Sequence, residues 1–136
     1  MAERLKQYGF NVKCSDLIDR GYLNTEIKDF LKVSEMFNGD IITNPPYKYT
    51  TEFILNALSI VPNGNKVAMF LKLQTLEGAK RYEQIYSKHP PKTVYVFTKR
   101  IKCFFNGIPD GKSSAIAYAW FVWQKGFKGN PTIEFI

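Results

Sequence analysis

Residues 40–47 of this chain have the sequence Asp40-Ile41-Ile42-Thr43-Asn44-Pro45-Pro46-Tyr47, and this stretch decides the expected fold. The apolar run at residues 40–43 predicts a buried β-strand. The two prolines that follow have no N–H to donate, so neither a helix nor a strand ladder continues through them. A residue before proline is restricted to extended geometry, which holds Asn44 just beyond the carboxyl end of the strand. Ligands of open α/β sheets bind at that edge.

The groups that follow this strand are suited to binding a planar amino group. The amide oxygen of Asn44 and the backbone carbonyl of Pro45 can accept the two N–H bonds of an aromatic amine. The ring of Tyr47 can stack on the face of the same molecule. The sequence therefore predicts a receptor for an aromatic amine or a planar amide at this edge.

The pattern Asp-x-x-x-Asn-Pro-Pro-Tyr resembles the catalytic motif of amino methyltransferases that use S-adenosyl-L-methionine, above all the DNA adenine-N6 enzymes. The resemblance implies that the cofactor is S-adenosylmethionine and that the substrate is a flipped adenine of DNA. It assigns the catalytic role to four residues: Asn44, Pro45, Pro46 and Tyr47. Methyl transfer depends mainly on aligning the nitrogen with the methyl carbon. We expect no metal, because the sequence offers no cluster with metal-ligand spacing.

Composition favours one globular domain with a polyanionic partner. The chain has 136 residues, of which 15% are aromatic and 23% charged, and its formal net charge is +7. Such a charge favours nucleic acid as a partner, although a lysine-rich solvated surface would give the same number. Cys14 and Cys103 form no ligand pair, and without a secretory signal they predict a reduced, cytoplasmic protein. The apolar stretch at residues 115–123 is too short to span a bilayer, so no membrane partner is expected.

Alternating strands and helices predict an α/β fold. Helices are expected at residues 2–8, from Thr50 or Thr51 to 61, and at 76–86, and a weak second strand or turn at 27–33. Strands are expected at residues 10–14, 40–43, 66–73, 93–98 and 115–124. The last two form a hairpin, so the sheet should be mostly parallel with one antiparallel strand. The order resembles the Rossmann-like methyltransferase sheet from its second strand onward.

The first βα unit of that family has no counterpart in this sequence. The resemblance implies a Gly-rich turn after a first strand, and that turn cradles the cofactor. We expect residues 1–136 to form a single domain that is truncated at the N-terminus relative to the family. We therefore expect weak cofactor binding or none. The missing strand belongs between those at residues 10–14 and 40–43. Unpaired edges and exposed apolar surface favour a homodimer or oligomer.

Three residues are assigned to the cofactor by the resemblance. Asp16 follows an early strand, where a carboxylate accepts from ribose hydroxyls, and Asp19 is a competing candidate. Asp29 and Phe30 occupy the position at which the family binds the adenine of the cofactor, through an acid and an apolar neighbour. The alternative for each aspartate is a helix or turn cap.

Basic residues near the expected active edge are candidate nucleic-acid contacts. Lys48 follows Tyr47, and Lys72 ends a strand. Lys99, Arg100 and Lys102 form a cluster after the next strand, near aromatic residues that suit stacking on an unpaired base. Solvated lysines, or charges that guard a sheet edge against pairing, are the alternative interpretation.

Two rival functions are compatible with the motif. Methyltransferases that act on a protein glutamine share Asn-Pro-Pro-Tyr, because their substrate is also a planar amide. The net charge and the cluster at Lys99, Arg100 and Lys102 favour nucleic acid over that alternative. The second rival is a non-catalytic remnant that lacks the cofactor loop and only folds or binds nucleic acid.

Overall fold

The computed structural model describes residues 1–101 and 115–136, and the chain divides into two compact units, Met1–Val33 and Ser34–Ile136. The first unit contains helix α1 (Ala2–Gln7) and strands β1 (Cys14–Asp16) and β2 (Thr25–Ile27). The two strands pair in parallel and form a sheet of their own. The single-domain organisation expected from the sequence stays a prediction.

The expected N-terminal helix is confirmed, and it stops before Gly9, whose φ of +83° suits glycine. The strand expected at residues 10–14 is wrong in its bounds, because pairing with β2 begins only at Cys14. The segment expected at residues 27–33 divides into the end of β2 and a 3₁₀ turn, Phe30–Lys32. That turn forms because the Asp29 carboxylate accepts a hydrogen bond from the Leu31 backbone N–H at 3.0 Å.

The first unit exposes much of its apolar surface. No residue between Met1 and Val33 is buried. Seven of its large apolar side chains are more than half exposed: Met1, Tyr8, Phe10, Leu17, Ile18, Leu23 and Ile27. Apolar surface of this extent is typical of a region that contacts another chain or segment. The homodimer or oligomer expected from the sequence stays a prediction.

The second unit is built on a five-stranded sheet with the order β3-β4-β6-β5-β7. Its strands are β3 (Ile41–Thr43), β4 (Lys66–Lys72), β5 (Thr93–Val96), β6 (Tyr118–Gln124) and β7 (Thr132–Phe135). β3 pairs with β4 in parallel, as does β5 with β7, and β6 is antiparallel to both β4 and β5. Four strands therefore run in one direction, and the mostly parallel α/β sheet with an antiparallel strand is confirmed.

Two helical segments cover one face of this sheet. Helix α2 (Thr50–Ile60) begins and ends close to the expected bounds, whereas the helix expected at residues 76–86 is wrong at its start. A 3₁₀ turn occupies Leu73–Leu76, and Gly78 has a φ of +124°, so helix α3 (Ala79–Arg81) starts later and continues into a π-helical turn, Tyr82–Tyr86.

None of the helices in the two described ranges is long and apolar enough to cross a membrane.

Alternate side chains of the central strands form the core beneath these helices. Val67, Met69 and Leu71 of β4 are fully buried, and in the ladder they oppose three buried residues of β6: Ala119, Phe121 and Trp123. Side chains of a strand alternate between the two faces. The remaining residues of β4 and β6 therefore point to the opposite face, where Phe70, Lys72 and Trp120 are partly exposed and Tyr118 is buried.

The segment after β4 is anchored by two side chains of the α3 region. The Arg81 guanidinium donates to the Thr75 carbonyl at 3.0 Å, and the Tyr86 hydroxyl donates to the same carbonyl at 2.6 Å. Burial raises the pKa of Tyr86 to about 12. These bonds fix the chain where it leaves β4, directly after Lys72.

Candidate active site

Strand direction brings the predicted functional residues of the second unit to one edge of the sheet. β3, β4 and β5 run in the same direction, so their carboxyl ends share an edge, and the antiparallel β6 begins there. Asn44 follows β3, Lys72 ends β4, and Lys99 and Arg100 come shortly after β5. The geometry therefore unites motifs that are up to 56 positions apart in the sequence.

Asn44 is the exposed residue immediately after β3. Pro45 behind it is buried, which anchors the turn. The carbonyl of Pro46 accepts a hydrogen bond from the Tyr49 backbone N–H at 2.9 Å, and the Thr50 hydroxyl donates to the Tyr47 carbonyl at 2.9 Å. Within the described ranges, the Asn44 amide has no hydrogen-bond partner. A rigid turn thus presents an amide that is available to a ligand.

A row of aromatic rings extends from the Asn-Pro-Pro-Tyr motif across the sheet. We call it the aromatic row; it consists of Tyr47, Tyr118, Phe70 and Phe97. The ring centroids of Tyr47 and Tyr118 are 6.1 Å apart, Tyr118 stacks on Phe70 at 5.1 Å and 11°, and Phe70 meets Phe97 edge-on at 6.0 Å. The row forms because Lys72 opposes Tyr118 in the ladder, which places Phe70 and Tyr118 on one face as diagonal neighbours.

A cation accompanies the first ring of the row. The Lys72 ammonium lies 5.1 Å from the centroid of the Tyr47 ring, within the range of a cation–π contact. Lys48, the other candidate beside the motif, is exposed, and its ammonium lies over the Tyr49 ring at 4.6 Å instead. The structure therefore brings Lys72, rather than Lys48, to the Tyr47 ring.

The basic cluster borders a hollow at the end of β5. The hollow measures about 180 Å³ and is lined by Phe97, Thr98, Lys99, Arg100, Ile101, Ala117 and Tyr118. Two of these residues, Phe97 and Tyr118, belong to the aromatic row. The third basic residue of the predicted cluster, Lys102, lies outside the described residues.

The predicted cofactor residues all lie in the first unit. Asp16 ends β1, where its carboxylate accepts from the Ile18 N–H at 3.2 Å and pairs with Arg20 at 3.1 Å. Asp29 caps the 3₁₀ turn that begins at Phe30. The competing Asp19 accepts from the Gly21 N–H at 2.8 Å. Each aspartate therefore has a local turn-forming role, and the assignment of Asp16, Asp29 and Phe30 to a cofactor stays a prediction.

The chemistry of this donor set fits only one end of S-adenosylmethionine. Asp16 and Asp29 keep 39% and 34% of their side chains exposed, so their oxygens remain accessible to ribose hydroxyls or an adenine amine. A backbone cradle for the carboxylate end requires a glycine-rich turn between a strand and a helix. The described ranges contain no such turn, and they contain no cluster of side chains that could hold a metal ion.

Sequence reasoning missed Tyr118 and Phe70 as parts of the site. Both residues stand in apolar runs that it assigned to strand interiors. Only the register of β4 against β6 shows that the two rings share one face, where Tyr118 contacts the Tyr47 ring and lines the hollow. The aromatic residues at alternate positions 118 and 120 were the one available signal.

Comparisons with known proteins give likenesses to solved structures. No protein-family model matches the chain, and no curated protein matches it. The chain is similar to the crystal structure of a predicted O-methyltransferase from Agrobacterium tumefaciens, with 18% identity and a TM-score of 0.49. The match covers 71% of this chain and 40% of that protein, so the chain corresponds to less than half of its length. The functional proposal therefore rests on the geometry of the site.

Proposed function

We propose that this chain carries the target-binding part of an S-adenosylmethionine-dependent methyltransferase that modifies the N6 amino group of adenine in DNA. One observation carries the proposal: an exposed Asn44 amide, held at the carboxyl end of β3 by the buried Pro45, beside the Tyr47 ring. The order and direction of the strands in the second unit support it, because the resemblance to the Asn-Pro-Pro-Tyr enzymes implies a mostly parallel sheet with one reversed strand.

The proposed chemistry uses the two oxygens of the motif. The Asn44 amide oxygen and the Pro45 carbonyl accept the N–H bonds of the adenine amine, which orients the nitrogen and enriches its lone pair. Bound S-adenosylmethionine would supply an electrophilic methyl group, whose bond to sulfur would break as its bond to the nitrogen formed, so that the rest of the cofactor would leave as a neutral thioether. The proton leaves the nitrogen after transfer and passes to water. We derive no contact between this chain and the methionine end of the cofactor, because the described ranges hold no cradle for it.

The Tyr47 ring offsets part of the cost of extracting the base. Removing an adenine from duplex DNA costs a few kcal/mol. Stacking of a base on an aromatic ring contributes about 1–3 kcal/mol. Tyr47 is half-buried and contacts Tyr118 and Lys72, so its ring is already oriented before a base arrives.

The distribution of charge favours DNA over a protein glutamine. Residues 34–136 contain thirteen Lys and Arg against seven Asp and Glu, so the second unit carries most of the net charge. Three of its cations, Lys72, Lys99 and Arg100, lie at or near the edge that carries the motif. Cations at such an edge suit phosphate contacts. The glutamine methyltransferase and the non-catalytic remnant remain the alternatives: the first would yield a methylated protein glutamine, and the second would yield no methylated product.

We expect Tyr47→Ala to weaken capture of the target base by about 5- to 100-fold, because the stacking surface is lost. Tyr47→Phe should change binding little, since it keeps the ring and loses only the hydroxyl. The measurement is the fluorescence of DNA with 2-aminopurine at adenine positions, titrated with each variant. Equal loss in both variants would show that the hydroxyl, and not the ring face, contacts the base.

We expect non-specific DNA binding that depends strongly on salt. If about 4 cations contact phosphates, the logarithm of the association constant should fall with the logarithm of salt concentration at a slope near −3.6. Reversing the charge of Lys99 and Arg100 should flatten the slope. The matched control is Lys128→Glu, because Lys128 is exposed and follows the end of β6 at the opposite edge. Affinity that is independent of salt would contradict the nucleic-acid assignment.

A further inference from the structure

The hollow at the end of β5 has no role in binding the target amine. In the proposed function the amine is bound by Asn44 and Pro45, which do not line the hollow. Sites for drug-sized ligands usually occupy about 300–1,000 Å³. A hollow of about 180 Å³ is too small for a whole nucleoside cofactor and suits one base or one phosphate group.

Two kinds of group meet in this hollow. Phe97, which is partly exposed, supplies aromatic surface, whereas Tyr118 also lines the hollow but is only 7% exposed. Lys99 and Arg100 supply positive charge from exposed positions. Flat aromatic rings stack on any base, and cations contact the phosphate that precedes or follows it. The combination is typical of sites for single-stranded nucleic acid.

The hollow is also continuous with the proposed base-binding position. Tyr118 lines the hollow and also contacts the Tyr47 ring, with centroids 6.1 Å apart. Phe97 is joined to Tyr118 through Phe70, and each contact of the aromatic row spans between 5.1 and 6.1 Å. The two end rings of the row, Tyr47 and Phe97, are partly exposed, and proteins that bind single strands stack successive bases on such rings.

We propose that the hollow binds the nucleotide next to the target adenine, with its base on Phe97 and its phosphate against Lys99 and Arg100. The place of this nucleotide beside the target rests on the proposed function. A neighbouring base that stacks on Phe97 has left the base stack of its duplex. The preferred substrate is therefore a single-stranded or locally opened segment of nucleic acid.

The test is binding of a dye-labelled oligothymidylate of about 12 nucleotides, a length within the site sizes of single-strand binders. Fluorescence anisotropy of the 136-residue chain should show tighter binding of this oligonucleotide than of a duplex of equal length. Phe97→Ala should weaken single-strand binding about 5- to 100-fold, and Phe97→Tyr should restore it. Tyr82→Ala is the matched control, because Tyr82 is 63% exposed on the π-helical turn and should leave affinity unchanged.

The phosphate contact is tested by the salt dependence of the same binding. Lys99→Gln and Arg100→Gln should each reduce the magnitude of the slope by about 0.7, whereas Phe97→Ala should leave the slope unchanged. Lys128→Gln should change neither slope nor affinity. An unchanged slope in Lys99→Gln and Arg100→Gln, or wild-type single-strand affinity in Phe97→Ala, would overturn the proposal.

Two features keep the result interpretable. Because Phe97 contacts Phe70, the alanine variant could unfold; Phe97→Leu keeps apolar volume there and should still weaken single-strand binding at least about fivefold. Circular dichroism spectra of all variants establish that they are folded. The oligonucleotide has no adenine and the binding assay has no cofactor. A negative result in this assay therefore leaves the Asn44 assignment unaffected, and a negative result for methyl transfer leaves the proposal for the hollow unaffected.

Discussion

In an active version of this protein, Asn44→Ala is expected to lower the rate of methyl transfer to adenine by about 10²–10³-fold, because it removes one preorganised polar contact to the reacting amine. Cofactor and DNA binding should change little, since the amide contacts neither the cofactor nor the phosphates in the proposed arrangement. The measurement is single-turnover transfer from labelled S-adenosylmethionine, with DNA binding followed in parallel by anisotropy.

The matched control for this variant is Asn38→Ala. Asn38 is also an exposed asparagine, but it precedes β3 instead of following it. Its replacement should leave the rate at the wild-type value. An Asn44→Ala variant that transfers methyl groups at nearly the wild-type rate would remove the basis for the catalytic assignment.

Phe121→Ala is expected to lower the free energy of unfolding by about 3–5 kcal/mol, a large share of the 5–15 kcal/mol typical of a domain. Phe121 is fully buried on β6 and stacks against Trp123 with centroids 5.9 Å apart. Its truncation leaves a cavity between the sheet and the helical segments, which the surrounding side chains fill only in part.

Urea unfolding followed by circular dichroism measures this change. Phe135→Ala is the control, since Phe135 is 73% exposed on the edge strand β7 and its loss should alter stability by about 0.5 kcal/mol or less. A Phe121→Ala variant as stable as the control would mean that the core does not lie where the sheet register places it.

The elements that sequence predicted best are those with strong local signals. The apolar run before Asn44-Pro45 gave β3, and the 3.6-residue periodicity before Pro62 gave α2. Sequence reasoning missed the last strand, β7, for two reasons. Its partner residues in β5 lie 39 positions earlier in the sequence, and all four of its residues are exposed. Exposed apolar residues carry no burial pattern that sequence reasoning could use.

Local sequence signals predicted only part of the site. Asn44 and Tyr47 follow from local chemistry, because two prolines fix the chain whatever lies around it. The neighbours of Tyr47 depend on the ladder between β4 and β6, which local sequence does not determine. The same ladder places Lys72 beside the Tyr47 ring and Tyr118 beside the hollow. Contacts between side chains of different strands could therefore be identified only from the structure.

The central claim is that this edge positions the N6 amine of adenine for methylation. The most direct measurement joins a first βα unit with a Gly-rich turn to the N-terminus of the protein, so that the cofactor is held, and incubates the product with labelled S-adenosylmethionine and a mixture of DNA and a release-factor-like protein. Mass spectrometry of the digested products then identifies the acceptor. The account predicts N6-methyladenine in the DNA and its loss in Asn44→Ala. Label on a protein glutamine, or no methylated product from either acceptor, would contradict it.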